Sequence, residues 1–149
     1  IEAHQNSGSD YSKFIYDKIA IGIATEVFSA SALRKLANQD IDFSYSEYMT
    51  YYFTNNPNIF SIQEVNPLIK YTSPNYRLTL DYKEDLEMFN ELFCRLDVAP
   101  REGTLLEVLE VMNKNPDICD INIHHTLKYK TDKKLVDELN TVTKIISIR

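Results

Sequence analysis

Between Tyr76 and Leu96 the chain reads Y-R-L-T-L-D-Y-K-E-D-L-E-M-F-N-E-L-F-C-R-L, and there the apolar spacing changes from period two to a helical period. In the first part Arg77, Thr79 and Asp81 fall on one face of an extended segment, while Leu78, Leu80 and Tyr82 fall on the other. Beyond Asp81 the stripe Leu86, Phe89, Phe93 and Leu96, widened by Met88 and Leu92, predicts an amphipathic helix. Glu84, Asp85, Glu87 and Glu91 are left for its wet side. A strand that feeds directly into a helix admits few folds, and it places Asp81 where backbone N–H groups and the helix dipole converge. Two roles are open to Asp81. It caps the helix, with Glu84 closing a capping box worth ~1 kcal/mol, or its carboxylate holds a divalent cation for a phosphate-bearing substrate.

The flanking segments predict an α/β chain. Ile23 to Phe28, Ile59 to Val65 and Tyr76 to Tyr82 have strand character, and Gly22 permits an unusual φ or a close approach to a ligand. Ser29 or Ser31 is positioned to cap a helix running through Leu33 and Leu36 to about Asn38. Ser44 with Glu47 and Thr104 with Glu107 have capping-box spacing, and Thr131 is placed to cap a last helix through Leu135, Val136 and Leu139. Asn55-Asn56-Pro57 and Asn115-Pro116 read as helix stops, Arg101-Glu102-Gly103 as a turn, and Asn66 to Pro74 as a linker. The aromatic crowd from Tyr45 to Phe53 exceeds one stripe, which predicts burial on two sides or a subunit contact. Residues 1–10 are too polar to be firmly anchored, so the expectation is one domain over 1–149 with a loosely held start.

Other chemistries are set aside by residue type and spacing. A net charge of −6 disfavours a nucleic-acid partner, and no apolar run approaches the ~20 residues of a membrane span. Residues 81–120 hold 11 acidic against 4 basic side chains, which reads as a solvated helix face. His124-His125 has no Cys or acidic neighbour at metal spacing and marks a strand end. Cys94 and Cys119 are isolated, as for packed, reduced thiols in a cytoplasmic protein.

The block R-L-T-L-D-Y-K-E-D-L resembles the "RLT-D-xxEDL" block of the cytidylyltransferases that activate acylneuraminates and spore-coat sugars. Gly22 to Ser29, followed by Ala32-Leu33, resembles that family's "G-x-x-x-E-V-F-S-x-x-A-L". Ile121 to His124 with Lys128 to Asp132 resembles the tail of its spore-coat branch. The resemblance implies a three-layer sandwich and transfer of a nucleotidyl group from CTP to a sugar or sugar acid with release of pyrophosphate. It also implies a Mg2+ ion on Asp81 and a sugar side lined by Gly22, Glu26 and Arg77. Where relatives have Asp-x-Asp this chain has Thr79-Leu80-Asp81, and Ser46 and Tyr48 stand where the family often has Arg and His. The family's triphosphate loop, "ARxxSxRLPxK", and its "GDxP" aspartate do not occur here, and three glycines leave little material for a phosphate cradle. The expectation is therefore the second half of such an enzyme, with the N-terminal nucleotide-binding strands missing and exposed sheet edges that favour a homodimer. The rival expectation is a non-catalytic binding or dimerisation module.

Overall fold

Short-range signals set most of the helices. The computed structural model describes residues 1–73, 75–96, 102–125 and 128–146; Pro74 of the expected linker and Arg101 of the expected turn lie outside them. In chain order the elements are α1 (Glu2–Ser7), β1 (Tyr11–Phe14), β2 (Val27–Phe28), α2 (Ala30–Ala37), α3 (Met49–Thr54) and β3 (Ile62–Val65). They continue with α4 (Lys83–Arg95), α5 (Leu105–Lys114), α6 (Pro116–Asp120), α7 (Lys128–Thr131) and α8 (Lys133–Val142). The described residues form two compact units. One contains Ile1–Lys13, Glu26–Val65 and 128–146, the other Phe14–Thr25 and the described part of Asn66–His125.

The first unit holds a three-stranded sheet of order β2-β1-β3. β1 and β2 are antiparallel, with Tyr11 opposite Phe28 and Ser12 opposite Val27. The Tyr11 and Phe28 rings stack at 4.5 Å, the kind of cross-strand pair that fixes register. Ser29 caps α2 by accepting from the Ala32 amide at 3.1 Å, as its position in sequence predicts. α2 turns Ala32 and Leu36 inward onto Tyr11, Tyr52, Phe53 and Phe60. Each such aromatic or leucine, fully buried, contributes about 1.5–3 kcal/mol. Asn56, at the end of α3, is buried and donates to the Tyr52 and Thr143 carbonyls while its Oδ1 accepts from the Ile145 amide. The residues after α8 are thereby tied to the end of α3.

In the second unit an isolated parallel bridge joins Ile21 to Arg77. The Ile21 amide donates to the Tyr76 carbonyl at 2.9 Å and the Leu78 amide to the Ile21 carbonyl at 2.7 Å. Packed behind it are Met88, Leu92 and Leu96 against Met112 and Ile118. Thr104 and Glu107 close the expected capping box of α5, with the Thr104 amide donating to Glu107 Oε2 at 2.7 Å. Pro116 opens α6, where its missing N–H costs nothing.

Several expectations are corrected. The strand expected over 23–28 is reduced to Val27–Phe28, and that over 59–65 to Ile62–Val65. The strand expected over 76–82 is a single bridge, because the Ile21 segment pairs with Tyr76 and Leu78 and the Asp81 amide turns away to a side chain of α4. β1 went unread because Tyr11 and Ser12 are both buried, so the segment shows no alternation. Ser44 does not cap α3; its amide and hydroxyl both donate to Asp42, and a 3₁₀ turn, Ser46–Tyr48, leads into the helix. Asp132, not Thr131, caps α8. Cys94 is exposed rather than packed. The polar start carries α1, whose His4 ring is hydrogen-bonded to Ser12 at 2.8 Å. No helix among the described residues is long and apolar enough to cross a membrane.

Candidate functional site

The R-L-T-L-D-Y-K-E-D-L block closes on itself through a buried ion pair. Arg77, despite its charge, is 1% exposed, whereas Leu80 is 61% exposed, so these two residues of the alternating segment are placed against their hydropathy. The cause lies on α4. Asp85 is fully buried and accepts from Arg77 Nε at 2.8 Å and from Nη2 at 2.9 Å, a bidentate pair. Its Oδ2 also accepts from the Asp81 and Tyr82 amides at 2.9 Å each, and its Oδ1 accepts from Asn122 Nδ2 at 2.9 Å. Burial by itself would raise the Asp85 pKa; the Arg77 guanidinium, the two amides and Asn122 outweigh it and hold the carboxyl well below the usual carboxylate range. Arg77 is correspondingly pushed up, first by its hydrogen bonds to Asp85.

Asp85 therefore performs the capping duty expected of Asp81 and Glu84. Tyr82 is the N-cap residue of α4, and Asp85 is the third helical residue reaching back to it. Glu84 instead pairs with His125 Nε2 at 3.0 Å; its own backbone N–H, and then His125, hold its pKa low. Among the described residues no strand adjoins His125; its amide donates to the Asn122 carbonyl at 3.1 Å and its ring stacks on the Tyr82 ring at 4.1 Å.

Asp81 is left without a helix to cap. Its side chain is 55% exposed, and its Oδ2 accepts from Arg77 Nη2 at 2.9 Å and from the Thr79 hydroxyl at 3.1 Å. Among the described residues Oδ1 accepts no hydrogen bond. Arg77, Asp85 and Asp81 together carry one surplus negative charge, and the exposed member of the three is Asp81. Among the described residues no three His, Cys, Asp or Glu side chains group as a metal cage. What Asp81 can offer a hard cation is one carboxylate oxygen, which suits Mg2+, an ion held by one or two carboxylates when substrate phosphates fill the remaining positions.

Gly22 is required by the chain itself. Its φ is +96°, and a Cβ there would stand 2.0 Å from the Leu78 carbonyl oxygen, inside van der Waals contact with the Arg77 segment. Glu26 belongs to the first unit, where its Oε1 accepts from the Tyr11 hydroxyl at 2.7 Å. The structure thus brings Gly22, Arg77 and Asp81 into the second unit, with Gly22 against Leu78, the neighbour of Arg77.

The chain is 32% identical over 118 residues to the spore coat polysaccharide biosynthesis protein SpsF of Bacillus subtilis, a match over 78% of this chain and 48% of that protein. The solved structure of a cytidylyltransferase from Leptospira borgpetersenii superimposes with a TM-score of 0.66 at 23% identity, over 84% of this chain and 50% of that one. The chain is thus similar in sequence to a spore coat polysaccharide biosynthesis protein and shares the fold of a cytidylyltransferase. An uncharacterized protein of Methanocaldococcus jannaschii is 29% identical over 104 residues, 70% of this chain and 42% of that protein. No family model matches the chain. The chain spans about half the length of the curated relatives it matches.

Two residues of the Arg77 cluster are not identified by the sequence pattern. Asp85 was assigned to the wet side of α4 because it is charged; its eight-residue spacing from Arg77, across a strand-to-helix turn, was the available signal. Asn122 gave no local signal, since its partners lie 37 and 45 residues away.

Proposed function

We propose that the chain is part of a nucleotidyltransferase that activates a sugar or sugar acid with CTP and releases pyrophosphate, and that it corresponds to the second half of such an enzyme. Support comes from the match to a spore coat polysaccharide biosynthesis protein and from a cytidylyltransferase-like fold. The observation that carries the reading is Asp81, which the Arg77–Asp85 pair relieves of capping and which keeps one carboxylate oxygen uncommitted at an exposed position. In this reading Asp81 Oδ1 holds Mg2+, which when bound offsets charge developing on the transferred phosphoryl group. Arg77 orients Asp81 through Oδ2, and Asp85 keeps Arg77 in place. Glu26 and Gly22 belong to the sugar side, and the protein acts in the cytoplasm as a homodimer; sedimentation showing only monomer at all concentrations would remove that last element.

The test is pyrophosphate release from CTP with Mg2+ and a panel of sugar acids. The chain alone is expected to be inactive, because triphosphate positioning supplies much of the rate; mixed with a polypeptide carrying a relative's nucleotide-loop half, it is expected to turn over. Turnover by the repurified chain alone refutes the half-enzyme reading. Silence of every mixture favours a non-catalytic binding module.

A further inference from the structure

Asn122 sits in the turn after α6 and is fully buried. Its Nδ2 donates to the Arg77 carbonyl at 3.0 Å and to Asp85 Oδ1 at 2.9 Å, so both neighbours are acceptors and the orientation of the amide is fixed by chemistry. Among the described residues its Oδ1 is left buried without a partner, as is Arg77 Nη1. Leaving such a group unsatisfied costs about 1–3 kcal/mol. The arrangement therefore favours what the two Nδ2 hydrogens hold over full satisfaction of the side chain.

Those hydrogens begin a chain of contacts that ends at the exposed carboxylate. Asn122 holds Asp85 Oδ1, Asp85 holds Arg77 by two bonds, and Arg77 Nη2 holds Asp81 Oδ2. Asn122 also grips the backbone of Arg77, which stands four positions before Asp81. An aspartate in place of Asn122 would set a carboxylate against Asp85. A serine would supply one donor in place of two.

We propose that Asn122 is a positioning residue for Asp81: acting through Asp85 and Arg77, it holds the Asp81 side chain in one rotamer with Oδ1 presented outward for a divalent cation bound with nucleotide phosphates. The cation part rests on the function proposed above; the rotamer part does not.

The two parts separate in one NMR experiment on the 149-residue chain. The scalar coupling between the Asp81 backbone nitrogen and its carboxyl carbon reads the rotamer, and broadening of the Asp81 and Tyr82 amides by added Mn2+ alone reads cation approach. The unsubstituted chain is expected to show a single-rotamer coupling. Asn122→Ala is expected to average it and to cut the Mn2+ broadening to about a third, since three staggered wells then share the side chain. Asn122→Ser, which keeps one donor, falls between. Averaging in the unsubstituted chain, or an unchanged coupling in Asn122→Ala, overturns the positioning role; should Asn122→Ala fail to fold, an unchanged coupling in Asn122→Ser does the same. The expected couplings without any Mn2+ broadening in the unsubstituted chain uphold the positioning role and refute the cation reading.

Discussion

Replacing Asp85 with asparagine should open α4 far more than replacing Asp81 does. Asp85 accepts five hydrogen bonds, two from Arg77, one from Asn122 and two from backbone amides, and all five donors remain in the Asp85→Asn protein. An amide offers one oxygen and no charge, so the guanidinium, whose side chain has no solvent exposure, loses its bidentate partner. Breaking a buried pair from one side costs about 3–5 kcal/mol. Asp81 still contacts Arg77 Nη2 at 2.9 Å, which puts Asp85→Asn near the lower bound. Asp85→Ala, with no acceptor left, should lie near the upper one. Asp81 is more than half exposed, and Asp81→Asn should cost less than about 1 kcal/mol. Two compact units make a single global unfolding curve a poor gauge. Amide hydrogen exchange along α4 reads the local opening instead. About 3 kcal/mol corresponds to roughly a hundredfold faster exchange in Asp85→Asn. Exchange within threefold of the unsubstituted chain, or a larger effect from Asp81→Asn, would refute the assignment of Asp85 as the structural carboxylate.

Gly22→Ala forces a Cβ onto the Leu78 carbonyl and strains a backbone at φ +96°, so it should cost more than about 2 kcal/mol locally and speed exchange of the Leu78 amide at least roughly tenfold; unchanged exchange contradicts the close approach. The depressed pKa of Asp85 makes its stabilisation complete above the ordinary aspartate value near 3.9 and lost as pH falls through the folded value. Protection of α4 should therefore be insensitive to this group between pH 7 and about pH 5 and decline below about pH 4, a decline absent from Asp85→Asn. Cys94 is exposed while burial pushes the Cys119 thiol up, so a thiol-specific chromophore should label Cys94 at least roughly tenfold faster. Equal rates, or a fast phase that survives Cys94→Ser, would contradict this.

Features that depend on a few neighbouring residues were legible in the sequence. Ser29 before α2, Thr104 with Glu107 at α5 and the Asn-Pro stops act within one turn and appear where the spacing puts them. α4 was legible in extent but not in rotation. Leu86 and Phe93 of the expected core stripe are exposed, while Met88 and Leu92 are buried. Asp85 sets that rotation, because pairing with Arg77 draws a charged residue to the innermost position of the first turn. Hydropathy assigns such a residue to solvent, and by the same rule it misplaces Arg77, which is buried, and Leu80, which is exposed. Asn122 lay beyond any local pattern. The position of Asp81 at the entry to α4 was read correctly; its release from capping depended on Asp85, four residues on, and became visible only with the ion pair in place.

In the proposed CTP-dependent nucleotidyl transfer, Asp81 serves a cation rather than the fold. The most direct test of that role is pyrophosphate release at limiting Mg2+ from Asp81→Asn and the unsubstituted chain, each combined with the nucleotide-loop half. Asp81→Asn should keep the exchange protection of α4 and lose Mg2+-dependent release, because a neutral amide cannot replace a carboxylate beside a hard dication. Release at the unsubstituted rate by Asp81→Asn would contradict that role.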